Sequence, residues 1–141
     1  MGRFVNPDNS AFQVALNSEI YIDKSGMIEE INKVLDTMQG YICHSRPRRF
    51  GKSITANMLA AYYSKGCKSE KMFSELEISK KDDFKMHLNK YNVIHIDIQW
   101  FLSNVRDICQ IVEYISQSII EELRQIYPEQ ISKDENALSE A

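Results

Sequence analysis

The residues best placed to do chemistry are Gly51-Lys52-Ser53, with Arg46, Arg48 and Arg49 immediately before them. Glycine lets the backbone approach a phosphate closely, and the amides that follow, together with a helix N-terminus, direct N–H groups at it. Lysine reaches the β- and γ-oxygens as a compact charge, and a serine hydroxyl in the next position joins a Mg²⁺ shell. The three residues are therefore the back half of the Walker A pattern G-x-x-x-x-G-K-[ST], whose first glycine position is occupied here by Arg46. Were a left-handed backbone required at that position, arginine would cost roughly 1–2 kcal/mol. Pro47, with φ held at about −65°, opens a different entry path. The loop reads as reshaped rather than abolished.

The charge pattern supports a local anion site. Residues 46–52 carry four cations and no anion, in a chain whose net charge is −3. Residues 121–141 carry six acids against two bases. This is a concentrated positive loop rather than the broad basic face of a general nucleic-acid binder. Arg48 and Arg49 admit three readings: phosphate contacts, contacts to a neighbouring subunit or nucleic acid, or a solvated charge pair. Phe50 reads first as a hydrophobic anchor for the loop, with adenine stacking as the other reading. Two alternative functions stand beside the nucleotide site. One is a nucleic-acid module using Arg46, Arg48, Arg49 and Lys52; the other is a protein-interaction surface on the isoleucine-rich helix described next.

The loop needs elements to hold it. Tyr41-Ile42-Cys43-His44-Ser45 is a short, mostly apolar run that reads as a buried strand. After the loop, Ile54, Met58, Ala61 and Tyr62 recur at helical spacing up to Gly66. Upstream, Ile20 to Lys24 reads as a short extended segment, and Ile28, Ile31, Leu35 and Met38 predict a helix from Ser25 to Gly40. Downstream come two short helices, Lys68 to Leu76 and Lys81 to Asn89, burying Met72, Phe73, Leu76, Phe84 and Leu88. Asn92 to Ile98 follows as a second strand. Ile108, Ile111, Val112, Ile115, Ile119, Leu123 and Ile126 then mark a long amphipathic helix ended by Pro128. Strand, loop, helix, connection, strand, helix is the order of a βαβ unit. The expected fold is α/β: a partial P-loop NTPase fold with parallel strands and flanking helices. Its sheet is incomplete, because two strands cannot cover both faces and edges. The expected organisation is an N-terminal segment and helix over 1–40, a βαβ-α core over 41–128 and a polar tail over 129–141, together the first part of a longer domain.

Hydrolysis would need an acid for Mg²⁺ and a group that positions water. Asp97, in Val93-Ile94-His95-Ile96-Asp97-Ile98, is the one acid ending an apolar run. Alternation sets His95 and Asp97 opposite Ile94, Ile96 and Ile98. No acid follows Asp97, so it stands open between a metal acid and a polar residue at a strand end. No catalytic residue is assigned. His44, His87 and His95 lack ligand spacing with any cysteine or carboxylate cluster, and no zinc site is expected. Cys43, Cys67 and Cys109 are odd in number, with no C-x-x-C, and read as free thiols of a reducing compartment. With 43% hydrophobic and 26% charged residues, 5 Gly and 3 Pro, the chain is neither collagen-like nor a Pro/Gly-rich disordered tract. No apolar run approaches the ~20 residues of a membrane span, and the N-terminus has no apolar core of a secretory signal. The expected compartment is the cytoplasm, with no membrane partner.

Taken together, YIDKS at 21–25, RPRRFGKS at 46–53, KMFSELEI at 71–78 and YNVIHIDI at 91–98 resemble the predicted AAA-ATPase-like family of bacterial proteins. Its members are similar to STAND-type and archaeal P-loop ATPases, and many continue into a PD-(D/E)xK nuclease-like domain. The resemblance runs through nearly the whole chain, and RPRRFGKS is its most specific string. It implies that arginine at the first glycine position is the family's own form of the loop. ATP and Mg²⁺ are the implied cofactors, with Lys52 serving phosphate and Ser53 serving phosphate and metal. The expected cofactor-binding set is the loop and the start of its helix: Arg48, Arg49, Phe50, Gly51, Lys52, Ser53 and Ile54. Tyr21, Asp23 and Lys24 would lie near the nucleotide base, the alternative for Asp23 and Lys24 being a surface ion pair. Similar proteins carry their Asp-Glu strand later than residue 141, so this stretch is expected to bind nucleotide and hydrolyse it poorly. A homo-oligomer and a C-terminal nuclease-like domain are possible partners of the whole protein, and nucleic acid an indirect one.

Overall fold

The computed structural model describes residues 2–105 and 107–131. Seven α-helices occur among them: α1 (Ser10–Leu16), α2 (Gly26–Asn32), α3 (Lys52–Tyr63), α4 (Glu70–Phe73), α5 (Phe84–His87), α6 (Ile98–Asn104) and α7 (Ile111–Ile126). Short 3₁₀ turns at Glu77–Lys80 and Ile108–Gln110 complete the set.

The helices follow from apolar spacing, and two clusters bury it. In the first, Ile28 of α2, Met58, Ala61 and Tyr62 of α3, Phe73 of α4 and Phe84 of α5 pack around Phe12 of α1, with Leu76 and Ile78. Phe12 stacks on Phe73 with centroids 5.2 Å apart, and Tyr62 meets Phe73 edge-on at 5.4 Å. In the second, Phe4, Val5, Phe101 of α6 and Ile119 of α7 form the centre. The inward stripe of the long helix is thus spent on the N-terminal segment and α6. Two of its expected members lie outside it: Ile108 and Val112 are each more than 70% exposed.

The α3 C-terminus is closed by one residue. Asn89, at φ 55°, donates through Nδ2 to the carbonyls of Ala61, Tyr62 and Ser64 at 2.9–3.2 Å, and its backbone amide bonds the Tyr62 carbonyl at 2.7 Å. Its Oδ1 accepts from the Ser69 amide at 2.9 Å, tying the end of α3 to the start of α4. Asparagine tolerates this left-handed conformation better than most side chains, and the carbonyls it satisfies would otherwise be orphans of the helix end.

No sheet forms among the described residues, which overturns the expected α/β fold with parallel strands. Half of the described residues are helical and only 3% have strand character, confined to isolated bridges between Val5 and Ile94 and between Ser64 and Tyr91. A strand is stabilised by its neighbour, not by its own propensity. Tyr41 to Ser45 has no such neighbour: the run is without hydrogen-bonded structure, with Tyr41 98% exposed. The 92–98 run does find a partner, but it is the N-terminal segment, lying antiparallel. The Asn6 amide bonds the Val93 carbonyl at 2.7 Å, the His95 amide bonds the Phe4 carbonyl at 2.8 Å, and Asn6 Oδ1 accepts from the Val93 amide at 2.9 Å. Alternation survives there, with the opposite polarity to a buried strand: Ile94, Ile96 and Ile98 are the exposed residues, while His95 is half-buried.

Helix bounds shift too. The helix expected over 25–40 ends at Asn32; the chain turns at Asp36, φ 58°, and Met38 is exposed. The last residue of the expected second strand, Ile98, is instead the first of α6. Residues 132–141, most of the expected polar tail, lie outside the described residues. Among the described residues no helix is long and apolar enough to cross a membrane.

Candidate functional site

The loop is exposed from Arg46 to Phe50 and turns tightly through a half-buried Gly51 into α3. The Phe50 amide reaches the Pro47 carbonyl at 3.4 Å. Arg49 takes φ 67° and Gly51 takes φ 78°, ψ 25°, both left-handed. Arg46 is not among the residues with positive φ, so the strain anticipated at the missing first glycine falls on Arg49 instead. A left-handed residue followed at once by right-handed helix turns successive amides toward one concavity, the geometry of an anion nest. Helical bonding begins at Thr55, whose amide and Oγ1 both donate to the Gly51 carbonyl, at 2.9 and 3.1 Å. The amides of Lys52, Ser53 and Ile54 precede that first bond, at the positive end of a helix whose first turn carries no acid.

Lys52 lies across the loop. Its Nζ donates to the carbonyl of Arg46 at 2.5 Å and to that of Pro47 at 3.1 Å. An ammonium has three donors, so one stays available while the other two pin the loop's entry to its exit. Ser53, the second residue of α3, and Arg48 are both exposed.

A second lysine reaches the loop from a distant segment. Lys24 Nζ donates to the Phe50 carbonyl at 2.8 Å. A Cβ built on Gly51 would sit 3.0 Å from the same nitrogen. The Tyr21–Ser25 stretch is itself moored elsewhere. Asp23 Oδ1 accepts from the Ser25 amide at 2.8 Å, and Asp23 Oδ2 from the Glu77 amide at 2.7 Å. Ser25, fully buried, accepts from the Ile78 amide at 3.1 Å. Asp23 and Lys24 therefore face different partners and do not form the ion pair weighed from sequence. No local spacing announces the Lys24 contact, which spans 26 residues.

Between this stretch and the loop runs a groove of about 280 Å³, walled by Ile20, Tyr21, Ile22, Arg49, Phe50 and Ile54 among others. Phe50 and Ile54 are 61% and 42% exposed, so both offer apolar surface at the loop's edge. The Tyr21 phenol is pushed up to about 12 by burial and then by the nearby Asp23 carboxylate. It is a neutral hydroxyl throughout the physiological range.

Asp97 has a structural occupation. Its Oδ1 accepts from the amides of Gln99 at 2.9 Å and Trp100 at 3.2 Å, which makes it the N-cap of α6. The signal was present in the sequence: an Asp directly before Ile98, Phe101 and Leu102 at helical spacing is a helix start. Among the described residues, no three His, Cys, Asp or Glu side chains gather in a way that could hold a metal ion.

No curated protein and no solved structure matches the chain. A family model does: the one described as Predicted AAA-ATPase covers residues 10–141, which includes the loop, the groove and the segment that carries Lys24. The chain belongs to the AAA-ATPase-like family.

Proposed function

We propose that residues 46–54 are the phosphate cradle of a nucleotide-binding protein, and that its ligand is ATP with Mg²⁺. The observation that carries this reading is Lys52 Nζ, held on the carbonyls of Arg46 and Pro47 across a loop that enters α3 through a left-handed Gly51. The ammonium stabilises the loop's curvature and keeps a donor for a phosphate oxygen, beside helix amides that favour negative charge. Gly51, Lys52, Ser53 and Ile54 contribute those amides. Arg48 and Arg49 add positive charge at the rim, and Arg49, Phe50 and Ile54 line the groove in which the nucleoside would lie. Membership of a predicted ATPase family supports the same ligand.

The residues fit a metal that arrives with its nucleotide. Ser53 Oγ is an exposed hydroxyl on the first turn of α3. Asp23 and Asp97 meanwhile hold backbone amides. When bound, Mg²⁺ would neutralise charge on the phosphate oxygens. The function proposed is therefore binding, with no hydrolytic step assigned to these residues.

The test is a thermal-melt titration with ATP·Mg²⁺. A ligand at 100 times its Kd stabilises by about 2.7 kcal/mol, so the wild type should show a clear rise in Tm. Lys52→Ala should lose the rise, and because it also removes the two bonds that curve the loop, its unliganded Tm should lie at or slightly below that of the wild type. A flat wild-type response at millimolar ATP would overturn the proposal.

A further inference from the structure

Lys24 touches the loop at one atom, the Phe50 carbonyl oxygen, at 2.8 Å. That carbonyl shares a peptide plane with the Gly51 N–H, and no described peptide bond is cis. In a planar trans peptide the C=O and the N–H point in opposite directions. Holding the Phe50 oxygen toward Lys24 therefore turns the Gly51 N–H away from Lys24, and the left-handed Gly51 followed by helical Lys52 sets that N–H beside the next amides of the nest. A peptide next to a left-handed glycine is the easiest in the loop to rotate, because glycine populates both signs of φ about equally. Without a fixed donor for the Phe50 carbonyl, the Phe50–Gly51 plane could flip and present that carbonyl where an anion needs an N–H.

We propose that Lys24 is a positioning residue: by anchoring the Phe50 carbonyl it locks the Gly51 amide in the donor orientation that a bound triphosphate requires. The assignment rests on the phosphate-cradle reading above. Its anchor is well placed for the task. Asp23 and Ser25, on either side of Lys24, are tied to the amides of Glu77 and Ile78, so the lysine projects from a segment fastened to the first core. Gly51 lacks a Cβ that would crowd the ammonium at 3.0 Å. The contact also gives YIDKS and RPRRFGKS a physical reason to occur in one chain.

The experiment measures binding of ATP·Mg²⁺ and of inorganic tripolyphosphate to wild type, Lys24→Met and Lys24→Arg, with the Gly51 amide resonance followed by ¹H–¹⁵N NMR. Lys24→Met should weaken both ligands by about tenfold, the worth of one charge-assisted hydrogen bond, while the unliganded Tm changes little. Lys24→Arg, which keeps a cationic donor, should recover most of the affinity. In the wild type the Gly51 amide should move downfield on tripolyphosphate addition, and in Lys24→Met that movement should shrink. The Lys24→Met deficit should persist in about 1 M salt, where the Debye length is about 3 Å and a charge acting only through space is screened. Wild-type binding with an unchanged affinity in Lys24→Met overturns the positioning role alone, as does a deficit that salt erases. Absence of wild-type binding overturns the cradle and this inference together.

Discussion

Asp23 Oδ2 accepts the backbone amide of Glu77 at 2.7 Å, across 54 residues of chain. The same carboxylate accepts from Ser25 through its other oxygen. One side chain thereby fixes the stretch before α2 against the 3₁₀ turn at Glu77–Lys80, and Lys24 extends from that fixed point to the loop. Hydrogen bonds to a charged acceptor are stronger than neutral ones. Asp23→Ala should destabilise the protein by about 1–2 kcal/mol in urea denaturation, with Asp23→Asn in between because it keeps one acceptor oxygen. A change within error for Asp23→Ala would remove this mooring from the description.

Gly51 has two reasons to be glycine. Its φ of 78° costs a Cβ-bearing residue roughly 1–2 kcal/mol, and the added methyl would press on the Lys24 ammonium. Gly51→Ala should lower stability by that amount and weaken ATP binding at least as much as Lys24→Met does. Equal denaturation midpoints for Gly51→Ala and wild type would show that the loop relaxes around the methyl at no cost.

Asp97 separates a helix cap from a metal acid. Asp97→Ala should cost about 1 kcal/mol, the typical worth of an N-cap, and leave the ATP-induced rise in Tm as large as in the wild type. Asp97→Ser, a good cap and a poor metal ligand, should restore the stability. Loss of the ATP response in both variants would return Asp97 to the metal.

The tyrosines predict alkaline behaviour. Burial holds the Tyr21 phenol at about 12, and burial likewise pushes the Tyr63 phenol upward. The folded state then retains phenolic protons that the unfolded state releases near the ordinary value of about 10. With more protons on the folded chain, stability falls as pH rises. The contribution is complete below about pH 10 and, for Tyr21, is lost as pH climbs through its folded value of about 12. Urea denaturation between these limits should show a falling midpoint, and Tyr21→Phe should flatten part of the slope. A midpoint independent of pH across this window, the same in wild type and Tyr21→Phe, would contradict the buried environment.

How much of this was legible in the sequence depends on the range of the interaction. The inward stripe from Ile111 to Ile126, the core positions Phe73, Leu76 and Phe84, and a helix directly after Gly51 are all spacing within a turn or two, and the structure keeps them. The residue types of the loop are local in the same way: a glycine, a lysine and a serine in succession carry their chemistry wherever the fold puts them. The two apolar runs at 41–45 and 92–98 were a different matter. Apolar alternation specifies a strand's faces but not its neighbour, and no parallel partner aligns with either run. One stays exposed, and the other pairs by a single bridge, Val5 with Ile94, with the N-terminal segment.

The amino-acid order alone thus determined which residues can hold an anion and which helix follows them, because both depend on neighbours a few bonds away. Only the tertiary structure decided that Lys24 meets the Phe50 carbonyl, that Asp23 answers to Glu77 and that Asp97 spends its carboxylate on α6. Lys24 and Asp23 meet partners 26 and 54 residues away, and such distances are closed by packing the first core, which no local pattern encodes. Asp97's partners are close in sequence, yet whether its oxygen served a cap or a metal depended on where the extended run stopped. The chain stopped it at Asp97 because Phe101 had Phe4, Val5 and Ile119 to pack against.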